Sequence, residues 1–219
     1  MNKVIAIDGP SGAGKSTIAK LLAKELGYEY LDTGALYRAV ALSLLRHGIN
    51  ENSSDAEILA ALETTKVAFM AGKVFLNQKD VSQGIRSPEA SHYASVFSAQ
   101  RVVREFLLDI QREAQHHANL VAEGRDMTTV VFPYASRKFY LDASPEERAR
   151  RRTLELRTKG YDVDEHAIHL DILERDARDS GRDLAPLKRA DDAVCIDSTG
   201  LSVEDVFRQM LAVVCRDGI

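Results

Sequence analysis

The sequence predicts an α/β fold of three layers, in which a parallel sheet of five strands is flanked by helices. Short apolar or β-branched segments alternate along the chain with longer amphipathic segments, as they do in sheets of this kind. Ligands of such sheets bind beyond the carboxyl ends of the strands, which lie at one edge. The segments predicted to be these strands are residues 4–7, 28–31, 120–123, 137–142 and 193–197.

The first predicted strand runs into a glycine-rich loop that matches the pattern G-x-x-x-x-G-K-[ST] and precedes a helical segment. Glycines allow the backbone to wrap a phosphate, and the N-terminus of the helix adds its dipole. We expect Lys15 to reach the β- and γ-phosphates of a nucleotide and the Ser16 hydroxyl to ligate Mg²⁺. The residues predicted to bind the nucleotide are Gly9, Pro10, Ser11, Gly12, Ala13, Gly14, Lys15, Ser16 and Thr17.

The other elements follow from periodicity and from turn or capping residues. Two β-favouring segments separated by Ala71 and Gly72 predict a hairpin. Ser144, Pro145 and Glu147 have the spacing of a capping box that opens a helix. The hairpin segments are 66–70 and 73–77, and the main helical segments are 18–26, 36–44, 56–62, 88–97, 100–116, 164–179 and 203–214.

The bulk properties limit the class of protein. A chain of 219 residues with 45% hydrophobic and 28% charged residues is typical of a single globular domain. No apolar run reaches membrane-spanning length and the chain enters a strand within a few residues, so we expect a cytoplasmic protein without a membrane partner. The net charge of −4 argues against a nucleic-acid polymer as partner, because such binding depends on neutralising many phosphates.

A phosphate-binding loop alone does not distinguish a kinase from a switch GTPase. Two segments, 77–80 and 197–200, resemble the guanine-reading N-[KQ]-x-D and the D-x-x-G of GTPases. Their order is reversed, however, and Asn77 falls on the predicted hairpin instead of the end of a parallel strand. The GTPase therefore remains only an alternative.

Four segments together resemble bacterial cytidylate kinases in the right order over nearly the whole chain. They are residues 7–16, residues 31–38, residues 123–127 with 129–133, and residues 174–187. The resemblance implies a nucleoside-monophosphate kinase that phosphorylates CMP and dCMP with ATP and Mg²⁺. It also implies a mobile lid at residues 156–163 and a monophosphate-binding insert at residues 35–119 that contains the hairpin. Shikimate kinase and a relaxed UMP/CMP kinase are the alternatives among kinases, and we expect a monomer.

The resemblance also assigns nine residues to the acceptor nucleotide. Its phosphate would be held by Arg38, Arg125 and Arg182, which with Lys15 form the expected catalytic set. Its cytosine would be read by Ser95, Arg104 and Asp126. Its ribose would be faced by Tyr37, Arg175 and Asp179. One departure is Thr128, where the family usually has glycine, and we expect it to alter the turn that carries Arg125 and Asp126.

The physical requirements of phosphoryl transfer agree with these assignments. An attacking phosphate oxygen already carries charge, so the reaction needs positioning and charge neutralisation instead of a general base. Two unit negative charges about 5 Å apart repel by roughly 3 kcal/mol at an effective dielectric of about 20. Lysine, Mg²⁺ and a cluster of arginines would offset several such pairs.

Overall fold

The computed structural model of the protein describes residues 2–70 and 72–216 and contains two sheets. The strands are β1 (Val4–Asp8), β2 (Glu29–Asp32), β3 (Val67–Met70), β4 (Lys73–Leu76), β5 (Lys79–Asp80), β6 (Leu120–Gly124), β7 (Arg137–Asp142) and β8 (Val194–Asp197). The helices are α1 (Lys15–Leu26), α2 (Thr33–Arg46), α3 (Asp55–Glu63), α4 (Pro88–Phe97), α5 (Arg101–His117), α6 (Pro145–Thr158), α7 (Glu165–Gly181) and α8 (Val203–Cys215).

The larger sheet confirms the predicted parallel sheet of five strands, in the order β2-β6-β1-β7-β8. Its central strand β1 is fully buried, because a separate apolar core covers each face. Ala6 belongs to the core that includes residues of α2, and Ile5 and Ile7 belong to the core that includes residues of α1 and α8. The molecule therefore has the three layers that the alternating pattern predicts.

The register of this sheet brings three acidic strand ends to one edge. Asp8 pairs with Gly124 across β1 and β6, and Asp32 pairs with Glu123 across β2 and β6. The phosphate loop, residues 9–17, follows Asp8, while Asp32 caps α2 by accepting a hydrogen bond from the Ala35 amide. The edge at which ligands of parallel sheets bind thus carries both the glycine-rich loop and a helix N-terminus.

The hairpin prediction is confirmed but incomplete, because a third strand continues it. Lys79 and Asp80 of β5 pair with Leu76 and Phe75 of β4. The turn between them is formed by Asn77 and Gln78, with φ of 48° and 66°. Since glutamine is an unusual residue for a left-handed turn position, the sequence offers no strong turn signal there. Ala71, which belongs to the predicted first turn, lies outside the described residues.

The start of α6 corrects one detail of the sequence analysis. The Ser144 side chain accepts a hydrogen bond from the Glu147 amide, so the predicted cap is present. The Glu147 carboxylate does not complete a capping box, because it accepts hydrogen bonds from Arg150 and Arg151 instead. Segment 156–163 includes the last residues of α6 and most of the loop before α7.

No helix within residues 2–70 and 72–216 is both long enough and apolar enough to cross a membrane.

Candidate active site

A large cleft opens at the carboxyl edge of the parallel sheet, with a volume of about 1360 Å³. It is lined by the phosphate loop from Ser11 to Thr17 and by all nine residues that the resemblance assigns to the acceptor. Those residues come from α2, from the turn after β6, and from α4, α5 and the α7 segment, which are far apart in sequence. The fold therefore brings these nine residues and the phosphate loop into one cleft. We call the part of the cleft that the nine residues line the chamber.

Gly9 and Pro10 are predicted nucleotide-binding residues that do not line the cleft. A Cβ atom on Gly9 would collide with the carbonyl oxygen of Leu141 in β7, so glycine permits the loop to leave β1 close to its neighbour. The carbonyl of Pro10 accepts a hydrogen bond of 2.7 Å from Lys15 Nζ. Both residues therefore support the conformation of the phosphate loop without lining the cleft.

Two arginines of α6 hold the outer side of the phosphate loop. Arg148 Nη1 donates to the carbonyl of Ser11 at 3.1 Å and to Asp176 Oδ2 at 2.6 Å. Arg151 donates to Ser198, whose hydroxyl in turn donates to the carbonyl of Ala13 at 3.2 Å. No sequence pattern predicts these contacts, of which the one between Arg148 and Ser11 joins residues 137 positions apart.

Lys15 is a buried cation at the floor of the cleft, with a relative exposure of 5%. Burial, together with the nearby positive charges of Arg125 and Arg175, lowers the pKa of Lys15 to about 7. Glu123 acts in the opposite direction but does not compensate. An anion placed beside Lys15 would restore its charged form, which makes this corner of the cleft suited to phosphate.

Glu123 is a functional candidate that sequence reasoning missed. It lies near the end of β6, the strand next to the one that leads into the phosphate loop, and its side chain is buried. Burial and then the charge of Asp32 raise the pKa of Glu123, while Tyr30 donates a hydrogen bond of 2.8 Å to its Oε1. Its signal in the sequence is its place one residue before Gly124, at the end of a predicted buried strand.

On the acceptor side, Asp179 organises three of the predicted residues. Its Oδ2 accepts from Arg125 Nε at 2.9 Å and lies 3.9 Å from Arg175 Nε, and its Oδ1 accepts from Ser95 at 3.3 Å. Burial alone would raise the pKa of Asp179, but the charges of Arg125 and Arg175 hold it below its usual range. Asp179 thus links one residue predicted for cytosine, one for ribose and one for phosphate.

Asp126 and Arg104 form the other fixed pair of the chamber. The Asp126 carboxylate is 2% exposed and contacts Arg104 directly in an ion pair. The Arg104 guanidinium carbon lies 5.8 Å from the centre of the Tyr37 ring. Asp126 and Tyr37 are therefore joined through Arg104 at the wall of the chamber.

Three cleft arginines carry a buried N–H that no acceptor within the described residues satisfies. These atoms are Arg38 Nε, Arg175 Nε and Arg182 Nη2. Buried donors are normally paired, so three unsatisfied donors on cations that line one cleft are suited to an anionic ligand. The resemblance assigns Arg38 and Arg182 to phosphate, whereas Arg175 has this property although it is assigned to ribose.

Comparison with known proteins gives a consistent result over the whole length of the chain. Residues 5–216 match the family model described as cytidylate kinase. A cytidylate kinase from Thermodesulfovibrio yellowstonii is 48% identical over 221 residues, covering 99% of this chain and 100% of that protein. A cytidylate kinase from Geobacter sulfurreducens is 49% identical over 215 residues, covering 96% of this chain and 92% of that protein.

Among solved structures, a gluconokinase from Sinorhizobium meliloti 1021 aligns with a TM-score of 0.50, covering 98% of this chain and 92% of that one. Its sequence identity of 14% makes this a likeness of fold alone. The sequence relatives decide the family, and they do not favour the GTPase or shikimate kinase alternatives. The chain belongs to the cytidylate kinase family.

Proposed function

We propose that this protein transfers the γ-phosphoryl group of ATP to CMP or dCMP and releases ADP with CDP or dCDP. The observation that carries the proposal is that the phosphate loop and the predicted acceptor residues line the same cleft. Membership of the cytidylate kinase family supports the same reaction. The proposal includes a monomeric, cytoplasmic enzyme whose partners are small-molecule nucleotides.

The donor phosphates bind the amide groups of the phosphate loop, and Lys15 contacts the β- and γ-phosphates. The donor set around Ser16 fits Mg²⁺, because the Ser16 hydroxyl is a hydrogen-bond partner of the Glu123 carboxylate, which lies near the carboxylate of Asp32, and magnesium prefers oxygen ligands. When bound, Mg²⁺ would supply positive charge that offsets the negative charge of the donor phosphates. Ser16 would hold the ion directly, and Glu123 and Asp32 would hold it directly or through its water.

The acceptor phosphate is held by Arg38, Arg125 and Arg182. The unsatisfied donors on Arg38 and Arg182 support this role, since a phosphate oxygen would satisfy each of them. Arg125 is held by Asp179 in the free protein and therefore has a fixed orientation before the nucleotide arrives. These cations offset the repulsion between two phosphate groups that must approach in line.

The base and sugar are recognised on the other wall of the chamber. Asp126 accepts a hydrogen bond from the cytosine N4 amine, with Ser95 and Arg104 beside it, while Tyr37, Arg175 and Asp179 face the ribose. Uracil presents an oxygen where cytosine presents the amine, so the Asp126 carboxylate would repel it. We infer that segment 35–119 is the insert that binds the monophosphate and that segment 156–163 is a mobile lid.

A coupled assay of ADP release with CMP, dCMP, UMP, AMP, GMP and shikimate tests the function directly. We expect kcat/KM for CMP or dCMP to exceed that for every other acceptor by about tenfold or more. Turnover should require Mg²⁺ and should disappear when the metal is chelated. Preferred turnover of shikimate or AMP, or GTP hydrolysis without any acceptor, would contradict the proposal.

The pH dependence of ATP binding provides a separate test of the Lys15 contact. Burial lowers the pKa of Lys15 to about 7, and bound phosphates raise it, so ATP binding above that pH takes up a proton. We expect the Kd for ATP to rise by up to about tenfold per pH unit between about pH 7 and pH 9. Calorimetry in buffers of different ionisation enthalpy measures the uptake directly, and a pH-independent Kd without proton uptake would contradict the assignment.

A further inference from the structure

The carboxylate of Asp8 binds the turn that follows β6. Asp8 is fully buried at the end of β1, directly before the phosphate loop. Its Oδ1 accepts a hydrogen bond of 2.8 Å from the Met127 amide, and its Oδ2 accepts one of 2.8 Å from the Thr128 amide. The Thr128 hydroxyl donates a third bond of 2.6 Å to the same Oδ2. The side chain of Thr128 thus reinforces a contact that its backbone already makes.

We call residues 125–131 the acceptor turn, because they begin with Arg125 and Asp126. Met127–Val131 form a single π-helical turn, in which the amides of Val130 and Val131 donate to the carbonyl of Asp126. The first amides of a helical turn have no partner inside it. Asp8 supplies that partner from the neighbouring strand, so the acceptor turn is fixed to β1 by one carboxylate.

That carboxylate is costly to keep ionised where it lies. Burial, assisted by the charge of Asp126, raises the pKa of Asp8 to about 6. The strongest opposing contribution is the hydrogen bond from the Thr128 hydroxyl, ahead of the two amide bonds. Without that hydroxyl, a buried carboxylate with only two donors would hold the acceptor turn less firmly.

We propose that the Thr128 hydroxyl is a positioning group for the acceptor: through Asp8 it locks the acceptor turn to β1 and so fixes Arg125 and Asp126 for the monophosphate. The inference rests on the proposed function, because it assumes that these two residues bind CMP. Thr128 itself is buried and does not line the cleft, so it acts only through its neighbours.

The test compares Thr128→Val with Thr129→Val. Both changes replace a hydroxyl in the same turn by a methyl group of similar size, but the Thr129 hydroxyl has no hydrogen-bond partner within the described residues. We expect Thr128→Val to raise the KM for CMP about tenfold while the KM for ATP changes less than about twofold. Thr129→Val should leave both constants within about twofold of those of the unmodified protein.

Rescue distinguishes positioning from general loss of stability. Thr128→Ser keeps the hydroxyl, so its KM for CMP should lie within about threefold of the original value. Thr128→Ala lacks the hydroxyl and should behave as Thr128→Val does. The alanine variant takes the place of the valine variant if the latter does not fold. An unchanged KM for CMP in the hydroxyl-free variants, equal increases for both substrates, or failure of serine to rescue would overturn the inference. If the unmodified protein does not phosphorylate CMP at all, the proposed function fails instead.

Discussion

Replacing Lys15 by methionine is expected to lower kcat by a factor of about 10² to 10³. The Lys15 ammonium lies at the floor of the cleft, where the contact proposed for it with the transferred group would strengthen as charge develops in the transition state. Methionine has similar length but provides no charge and no donor. The measurement is steady-state ADP release at saturating ATP and CMP.

Thermal melting of the variant distinguishes a loss of kcat caused by impaired catalysis from one caused by unfolding. A lysine with a lowered pKa destabilises the folded state fully below about pH 7, and this penalty disappears as the pH rises toward 10.5. Lys15→Met should therefore melt no lower than the unmodified protein at pH 7. Lys24→Met, an exposed change on the same helix, should keep kcat within about twofold. A Lys15→Met variant that retains more than about a tenth of the original kcat would contradict the proposed role.

Replacing Asp126 by alanine is expected to lower kcat/KM for CMP about 10 to 100 times more than kcat/KM for UMP. The carboxylate is buried against Arg104 and is the proposed acceptor for the cytosine amine. Its loss leaves Arg104 without its ion-pair partner, which should lower kcat/KM for both substrates. The ratio of kcat/KM for CMP to kcat/KM for UMP cancels that shared effect and isolates recognition of the base.

UMP is thus the control substrate for the Asp126→Ala experiment, and Asp126→Asn is a control variant. An asparagine amide can donate to the uracil oxygen, so this variant should raise kcat/KM for UMP relative to CMP. Equal losses on both substrates in Asp126→Ala would show that Asp126 supports the chamber without reading the base.

The parallel sheet and the phosphate loop could be predicted from sequence because their signals are local. β1, the loop and α1 are contiguous, and glycine spacing identifies the cradle without any tertiary information. β5 was missed because it has only two residues and follows a turn with a glutamine at positive φ. Local patterns also cannot give the order of strands in the sheet, which depends on packing.

The resemblance selects residues that line one cleft, but it does not give the contacts between them. The resemblance supplies Ser95, Arg125 and Asp179, yet Ser95 and Asp179 are 84 positions apart and only folding brings them into contact. The contact between Asp8 and Thr128 joins residues 120 positions apart. No periodicity or motif signals such pairs, because they depend on which strands become neighbours. Glu123 ends a predicted buried strand, but sequence reasoning missed it because its place beside the strand that enters the phosphate loop is a property of the sheet.

The central claim is that donor and acceptor occupy one cleft, with the phosphate loop and the chamber on opposite sides of the transferred group. Titration calorimetry with a dinucleotide that joins adenosine to cytidine through five phosphates tests this most directly. The account predicts one molecule bound per chain, more tightly than ATP or CMP, in competition with both. Binding that competes with only one of the two nucleotides, or a stoichiometry of two, would contradict it.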